Sequence, residues 1–247
     1  MSDYRSSHLG SGRGEIYDHR FREGRTGRLW LAIERPFLTA LFEQLSREHP
    51  GPFLDFAAGT GRITELAVPF FPDISGIDVS ADMLREAREK LPAVKWRHGD
   101  VTREKIELGR FSVICAFRFF LRAQPELRRE VLRWIHAHLL PDGVFIANLH
   151  LCSESPKGLL IRVLQRFGMH RGRMALSSRR WCRELVAMGF SVRRIFGCHF
   201  LPGNHQYACV PEPWALRIEK RLAGRPDLAP FAENQVFVCS PGVLPAA

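Results

Sequence analysis

Two carboxylates in the first half of the chain each end a short apolar run that small residues follow. Asp55 lies in FLDFAAGTGR, residues 53–62, where the apolar run leads into a turn that contains Gly59 and Gly61. Small residues let a backbone approach a ligand closely and leave the first amides of the next helix available as donors. Asp78 follows 23 residues after Asp55, where a nucleotide-binding fold places its ribose-binding acid. The pair therefore predicts a nucleotide-like ligand.

A second group of polar residues follows later apolar runs of the chain. Arg118 comes after the run 111–116, His150 after 144–149, and His199 after 191–196. Ligands of parallel sheets bind beyond the carboxyl ends of the strands. We therefore expect these side chains to lie together at the opening of one cleft, which we call the mouth. Histidine is the usual general base for a hydroxyl group, and His150, then His199, then His205 are the candidates. An ordinary histidine within a loop remains the alternative for each, as a structural ion pair does for Arg118.

One spacing in the second half of the chain could suit a metal. Cys198, His199, His205 and Cys209 lie within twelve residues. They do not form the two close ligand pairs of a recognised zinc pattern, and Gly203 and Asn204 indicate a turn between them. We therefore predict a substrate-side loop at 198–212 and no metal site.

The elements that would position these residues alternate between short apolar runs and helical stretches. This alternation is typical of βαβ units and a parallel sheet. The predicted strands are 53–56, 74–78, 94–97, 111–116, 144–149, 191–196 and 235–239, and the predicted helices are 62–70, 81–91, 125–140, 177–188 and 213–224. The sequence thus predicts an α/β, Rossmann-like, seven-stranded and mostly parallel sheet with helices on both faces.

Three segments lie outside this alternation. Residues 1–36 form a predicted N-terminal arm and the start of a helix, whose apolar positions recur every four residues from Leu29 to Leu45, with Pro36 expected to kink or restart it. Residues 37–247 form the main domain. Within it, 151–175 is a predicted cap insertion after the fifth strand, and 198–212 is the predicted substrate-side loop.

Four segments between Phe53 and Asn148 match, in order, the motifs of the class I S-adenosylmethionine-dependent methyltransferases, and the chain resembles that family. They are the glycine-rich loop 55–61, the acid segment GIDVS at 76–80, the triplet GDV at 99–101 and the turn LLPDG at 139–143. Ala57 and Ala58 depart from the family, which often has Gly and Cys there, although alanine is small enough to keep the loop compact. A dinucleotide enzyme would show G-x-G-x-x-G, whereas position 64 is Thr64.

The resemblance implies an enzyme with S-adenosylmethionine as cofactor. It implies that Asp78 binds the ribose, that Asp100 accepts a hydrogen bond from the adenine amino group, and that the N-terminal arm folds over the cofactor as a lid. A flexible tail is the alternative for that arm. The cofactor-binding residues predicted in this way are Tyr17, Asp55, Ala57, Gly59, Gly61, Asp78, Val79, Met83, Asp100 and Val101.

The sequence lacks motifs that are typical of enzymes for some classes of methyl acceptor, and their absence argues against those classes. Nucleobase amino-methyltransferases of this fold carry an Asn/Asp-Pro-Pro-Tyr/Phe turn after the fourth strand, where this chain has AFRFF at 116–120. Cys115 lacks the following proline that is typical of cytosine C5 enzymes, and 116–124 contains no carboxylate for metal-assisted catechol chemistry. The histidines at the expected mouth favour O-methylation of a hydroxyl on a small molecule, with N- or C-methylation as alternatives.

The charge of the chain is concentrated in one segment. The 36 Lys and Arg exceed the 26 Asp and Glu to give +10, and residues 162–194 contain nine of the basic residues and one of the acidic ones. A basic segment there favours an anionic or carrier-linked acceptor, or contact with an anionic membrane surface. A core-packing helix with a solvated arginine face is the plain alternative, with an apolar stripe at Leu159, Leu160, Val163, Leu164 and Phe167.

Two other classes of protein are alternatives to a small-molecule enzyme. An RNA methyltransferase would use 162–194, but stacking on bases needs aromatic residues between the arginines, and 168–180 contains none. A protein that binds the cofactor without activity is the other reading. No apolar stretch reaches the length of a membrane span, and the start lacks an apolar secretion signal, so we expect a cytoplasmic protein with reduced cysteines. The sequence does not indicate an oligomeric state.

Overall fold

The computed structural model describes residues 24–169, 176–201 and 210–243. Within them the chain forms one seven-stranded sheet in the order β3-β2-β1-β4-β5-β7-β6. The strands are β1 Phe53–Phe56, β2 Ile74–Asp78, β3 Lys95–His98, β4 Phe111–Ala116, β5 Leu139–Leu149, β6 Phe190–Cys198 and β7 Asn234–Pro241. Strands β1 to β5 are parallel, and β7 is antiparallel to both β5 and β6. The predicted fold class is confirmed.

Helices cover both faces of this sheet. They are α1 Gly24–Leu29, α2 Arg35–Glu48, α3 Thr64–Ala67, α4 Ala81–Lys90, α5 Pro125–His138, α6 Pro156–Arg166, α7 Ser178–Ala187 and α8 Glu212–Leu222. Apolar side chains of α2, α3 and α4 pack on one face, and those of α5 and α7 pack on the other. Strands β1 and β4 are buried along their whole length, which explains why the sequence shows them as continuous apolar runs.

The N-terminal helical region has three parts. Helix α1 continues into a π-helical turn, Trp30–Glu34, and then into α2. Pro36 lies in the first turn of α2, directly after the π-helical turn, so the irregularity predicted at Pro36 is present while the chain stays helical from Gly24 to Glu48. The Arg28 guanidinium donates to the Glu212 carboxylate at 2.8 Å and joins α1 to α8.

Two predicted elements differ from the structure by more than two residues at one end. The helix predicted for 62–70 is shortened to α3, because the left-handed Gly61 precedes the helix and Pro69 has no backbone N–H to continue its hydrogen bonds beyond Val68. The turn predicted at 139–143 is the irregular first part of β5. Its register against β4 shifts between Phe111 and Val113.

Helices α6 and α7 follow β5 and carry most of the local positive charge. Ser155 caps α6 by accepting from the amide of Gly158 at 3.0 Å, and Ser177 caps α7. A buried Arg128 in α5 binds both carboxylate oxygens of Glu184 in α7, at 2.9 and 3.0 Å. Glu184 is the one acidic residue of 162–194, so the basic segment is anchored through it to the sheet.

The apolar stripe of α6 is not part of the core. Only Gly158 and Ile161 of this helix are buried, whereas Leu159, Leu160, Val163 and Phe167 are exposed. The reading of α6 as a core-packing helix is therefore wrong for most of its stripe. No helix within 24–169, 176–201 and 210–243 has both the length and the apolar character needed to cross a membrane.

Candidate functional site

The loop after β1 opens a cleft at the carboxyl ends of the central strands. Ala57, Gly59 and Gly61 all have left-handed backbone angles, with φ of 56°, 56° and 75°. A Cβ built at Gly59 would meet no heavy atom within 4 Å, so this glycine leaves open space on the wall of the cleft. Gly61 faces away from it, because its Cβ would lie 3.1 Å from the Trp96 ring. Gly61 thus has a packing role, and Gly59 borders the ligand space.

Asp78 holds the glycine loop against the end of β2. Its Oδ2 accepts from the amide of Gly59 at 2.8 Å, and its Oδ1 accepts from the amide of Ser80 at 2.8 Å. Asp78 lines the cleft beside Val79 and Met83. Its carboxylate is therefore placed to accept from the hydroxyl groups of a ligand.

Asp55 is buried beneath the loop. Its Oδ2 accepts from the Thr64 hydroxyl at 2.6 Å, and its Oδ1 accepts from the Cys115 thiol at 3.3 Å. Burial raises the pKa of Asp55 to about 6, partly offset by these two hydrogen bonds, and the Asp78 charge raises it further. Its partners come from α3 and β4, so Asp55 chiefly holds the turn in place.

The far end of the cleft lies beside β3. Asp100 is held there by Thr102, whose amide and hydroxyl donate to Oδ1 at 2.9 and 2.6 Å. Val101 and Met83 add apolar surface to the same wall. An acid beside two apolar side chains suits a flat heteroaromatic ring that carries an amino group.

Arg118 lies on the wall of the cleft after β4. It has a left-handed backbone with φ of 60°, a rare conformation for a residue with a Cβ, and its amide donates to Asn148 Oδ1 at 2.6 Å. Asn148 in turn donates to Asn234 Oδ1 at 2.9 Å, which ties β4, β5 and β7 together. Strained residues persist only where their surroundings hold them, and they concentrate at functional sites.

Glu34 is a functional-site residue that the sequence did not reveal. It is buried at the end of the π-helical turn, where its Oε1 accepts from His199 Nε2 at 2.7 Å and lies 3.9 Å from an Arg118 nitrogen. Burial raises its pKa, but the hydrogen bond from His199 and the charges of His199, Arg118 and Arg62 lower it more, to about 2. Glu34 therefore remains ionised and joins the N-terminal region to the mouth.

The two predicted histidine bases have opposite environments. Burial lowers the pKa of His199, but the hydrogen bond to Glu34 and the charges of Glu34, Glu219 and Glu233 together outweigh it, and the net shift is upward. Burial lowers the pKa of His150 to about 3, and the charges of Arg118 and Arg122 contribute. The buried Nδ1 of His150 has no hydrogen-bond partner among the described residues. His150 is thus neutral at physiological pH, and His199 is the more readily protonated of the two.

The structure brings most of the predicted cofactor residues together. The predicted site residues that line the cleft are Asp55, Ala57, Gly59, Asp78, Val79, Met83, Asp100, Val101 and Arg118. Gly61, His150 and His199 are not among its lining residues, although both histidines lie close enough to interact with Arg118 or its partner Glu34. Tyr17 and His205 lie outside the described residues.

The metal-like spacing of the second half can be followed only in part. Cys198 ends β6 and is buried, and His199 faces Glu34, whereas His205 and Cys209 lie outside the described residues. In the part of the chain that the structure describes, no three His, Cys, Asp or Glu side chains form a group that could hold a metal ion.

Comparisons with known proteins agree with this geometry. Residues 53–143 match the family described as "Methyltransferase domain". The chain is 39% identical over 99 residues to a dTDP-3-amino-3,6-dideoxy-alpha-D-glucopyranose N,N-dimethyltransferase of Streptomyces fradiae, with 38% of each chain covered. It is 44% identical over 111 residues to a trans-aconitate 2-methyltransferase of Rhodopseudomonas palustris (strain BisA53), which covers 44% of this chain and 42% of the relative. The chain thus matches less than half the length of these relatives.

The fold comparison extends over nearly the whole chain. A crystal structure of an S-adenosylmethionine-dependent methyltransferase from Clostridium acetobutylicum ATCC 824 superposes with a TM-score of 0.61 at 16% identity. That match covers 93% of this chain and 97% of the other. Residues 53–143 therefore match a methyltransferase domain, and the fold over nearly the whole chain is the Rossmann-like fold of that solved methyltransferase.

Proposed function

We propose that this chain transfers the methyl group of S-adenosylmethionine to an oxygen atom of a small anionic molecule. The observation that carries the proposal is Arg118, whose backbone is fixed on the cleft wall by Asn148 and whose side chain lies beside Glu34. A guanidinium presents a planar set of donors that matches a carboxylate. We infer that it orients the acceptor.

The residues of the cleft fit the cofactor. The open space at Gly59 admits a ligand against the loop backbone, Asp78 would accept from the ribose hydroxyls, and Asp100 would accept from the adenine amino group. When bound, S-adenosylmethionine supplies a methyl group that its sulfonium already activates. The chain then has to align the acceptor and exclude water, and positioning of this kind lowers a barrier by roughly 7 to 11 kcal/mol in ideal cases.

The charges around the mouth favour an acceptor that arrives ionised. Burial is the largest cause of the low pKa of His150, and the charges of Arg118, Arg122 and Lys157 lower it further against the opposing charge of Glu34, so that the three basic residues outnumber the one acid. A histidine with a pKa of about 3 is a weak base for a neutral hydroxyl, whereas a carboxylate oxygen needs no base. We infer that His150 does not act as the base and that the hydroxyl expected from the sequence is the less suitable acceptor.

The relatives support an anionic acceptor without identifying it. Trans-aconitate, the compound in the name of several of them, carries carboxylates, and an amino sugar is the compound in the name of others. The excess of basic residues around His150 opposes the approach of a protonated amine. N-methylation is therefore the second candidate reaction, and the experiment below distinguishes it from O-methylation.

The N-terminal helical region completes the proposed site as a cover. The Arg62 guanidinium, which lines the cleft, lies 3.9 Å from the centre of the Trp30 ring, and Glu34 of the same turn binds His199. These contacts support the proposal that residues 1–36 form a lid over the cofactor. The role of Tyr17 at the methionine end stays a prediction.

The test uses methyl-labelled S-adenosylmethionine with matched carboxylic acids, alcohols and amines of the same carbon skeleton. The expected product is base-labile, because alkali cleaves a methyl ester but leaves methyl ethers and N-methyl groups intact. Arg118→Gln should raise the acceptor KM at least about tenfold, because it removes the free energy of one charge-assisted hydrogen bond. It should leave the affinity for S-adenosylhomocysteine within about twofold of the wild-type value.

The matched control is Arg129→Gln, on the exposed side of α5, which should change neither quantity. A base-stable label on an alcohol or amine would contradict the anionic acceptor. Absence of S-adenosylhomocysteine binding to the wild-type protein in calorimetry would contradict the methyltransferase activity itself.

A further inference from the structure

Helix α6 presents an apolar face to solvent. Leu159, Leu160, Val163 and Phe167 are 49%, 52%, 53% and 69% exposed. At 100° per residue the four side chains lie within one sector of the helix, opposite the buried Ile161. Single exposed apolar residues are normal on a protein surface, whereas several large ones on one exposed face indicate an interaction surface.

Positive charge borders this face. Arg162 and Arg166 are exposed on the side of the helix next to the apolar sector. From Pro156 to Arg183 the sequence contains eight Lys or Arg residues and no Asp or Glu. The face therefore combines apolar side chains with arginines, within a segment that supplies no acidic residue of its own.

We propose that the α6 face binds the surface of an anionic lipid bilayer. An amphipathic helix of this kind lies in the plane of the interface, with its apolar side chains among the acyl chains and its arginines at the headgroups. The long aliphatic part of an arginine side chain lets the charge reach the phosphates while the helix stays embedded. The charge of the 156–183 segment is complementary to anionic headgroups.

Other occupants fit this combination less well. RNA would engage the arginines, but it would leave Leu159, Leu160 and Val163 without partners, since base recognition relies on aromatic stacking. A two-fold contact with a second copy would bring two basic segments together with no acid from 156–183 between them. A bilayer alone uses both the apolar side chains and the charge.

The position of α6 connects the surface to the mouth. The helix begins seven residues after the carboxyl end of β5, and Lys157 in its first turn binds Glu233 next to β7. Binding through α6 would therefore hold the acceptor side of the sheet close to the lipid. The proposal is independent of the identity of the acceptor.

The experiment is flotation of the full chain with vesicles of phosphatidylcholine alone or with 30% phosphatidylglycerol. The wild-type protein should float with the anionic vesicles, and the Val163→Glu/Phe167→Glu variant should stay in solution with both. Arg162→Gln/Arg166→Gln should lower partitioning into anionic vesicles about 30-fold, from about fivefold per basic residue near such a surface. It should leave the weak binding to neutral vesicles unchanged.

The matched control is Val68→Glu, which places a charge on an exposed apolar residue after α3. It should float like the wild type, and calorimetry with S-adenosylhomocysteine should show that every variant is folded. Wild-type protein that does not float, or Val163→Glu/Phe167→Glu protein that floats normally, overturns the proposal. The proposal is also overturned if the protein does not bind vesicles but forms a dimer that Val163→Glu/Phe167→Glu separates. RNA binding that only Arg162→Gln/Arg166→Gln loses would overturn it as well.

Discussion

The two sides of the cleft hold their polar residues by different means. On the β1–β2 side, most partners of Asp55 and Asp78 are amides and a hydroxyl within 19 residues along the chain, although Asp55 also accepts from the more distant Cys115 thiol. On the mouth side, Glu34 meets His199 across 165 residues of sequence. The first arrangement is local and suits one constant ligand. The second depends on the complete fold, and its geometry can change with the acceptor without altering the cofactor loop.

Of the substitutions that test this difference between the two sides of the cleft, Asp78→Ala should have the largest effect. Asp78→Ala removes the acceptor for the amides of Gly59 and Ser80 and for the proposed ribose contacts, so affinity for S-adenosylhomocysteine should fall about 100-fold or more. Calorimetry measures the loss, with Asp142→Ala in the exposed turn before the buried part of β5 as control. Unchanged affinity in Asp78→Ala would show that the β1–β2 side does not bind the cofactor.

A smaller effect is expected on the mouth side, and on stability rather than on cofactor binding. Glu34→Gln leaves His199 and Arg118 without their buried carboxylate, which should cost about 2 kcal/mol and lower Tm by roughly 4 to 8 °C. Glu43→Gln, on the exposed side of α2, is the control. Equal melting of the two variants would show that the Glu34 cluster does not hold the N-terminal region in place.

The stability difference between wild type and Glu34→Gln should depend on pH in a defined window. The pKa of Glu34 falls from 4.5 to about 2, so its stabilisation is present above pH 4.5 and lost as pH falls towards 2. The pKa of His199 is raised from 6.5, so its share is present below pH 6.5 and lost as pH rises through the higher value. Melting curves should separate most between about pH 4.5 and 6.5.

The smallest effect is expected at His150. His150→Gln keeps a polar group at the mouth, and because the pKa of His150 is about 3 it does not titrate between pH 5 and 8. The rate of methyl transfer should therefore fall less than about tenfold, with an unchanged pH profile, whereas loss of a general base costs roughly 10² to 10⁴. His49→Gln, at the end of α2, is the control. A larger fall, with loss of an acidic limb, would restore His150 as a base.

The same contrast explains what the sequence could predict. Strands β1 and β4 are buried throughout, so their apolar runs stand out in the sequence, and the glycine loop with Asp78 is a short motif whose partners lie nearby. Fold class and most of the cleft lining follow from such local signals. Arg118 was predicted as a mouth residue because it directly follows a strand, where the carboxyl end of the sheet must lie.

Glu34 and the exposure of α6 could not be predicted in this way. Glu34 lies beside Ile33 within an ordinary amphipathic pattern, and only the packing of the π-helical turn against the loop after β6 gives it His199 as partner. The apolar stripe of α6 was visible in the sequence, but periodicity shows which face is apolar and does not show what covers it. Long-range packing decides both cases.

The antiparallel β7 has a consequence for the order in which the sheet forms during synthesis. Strand β6 pairs with β7 and has no direct partner in β5, and β7 is the last strand along the chain. During synthesis, β1 to β5 can therefore pair early, whereas β6 gains its partner in the sheet only when residues 234–241 have been made. The β6–β7 edge is thus the last part of this sheet to form.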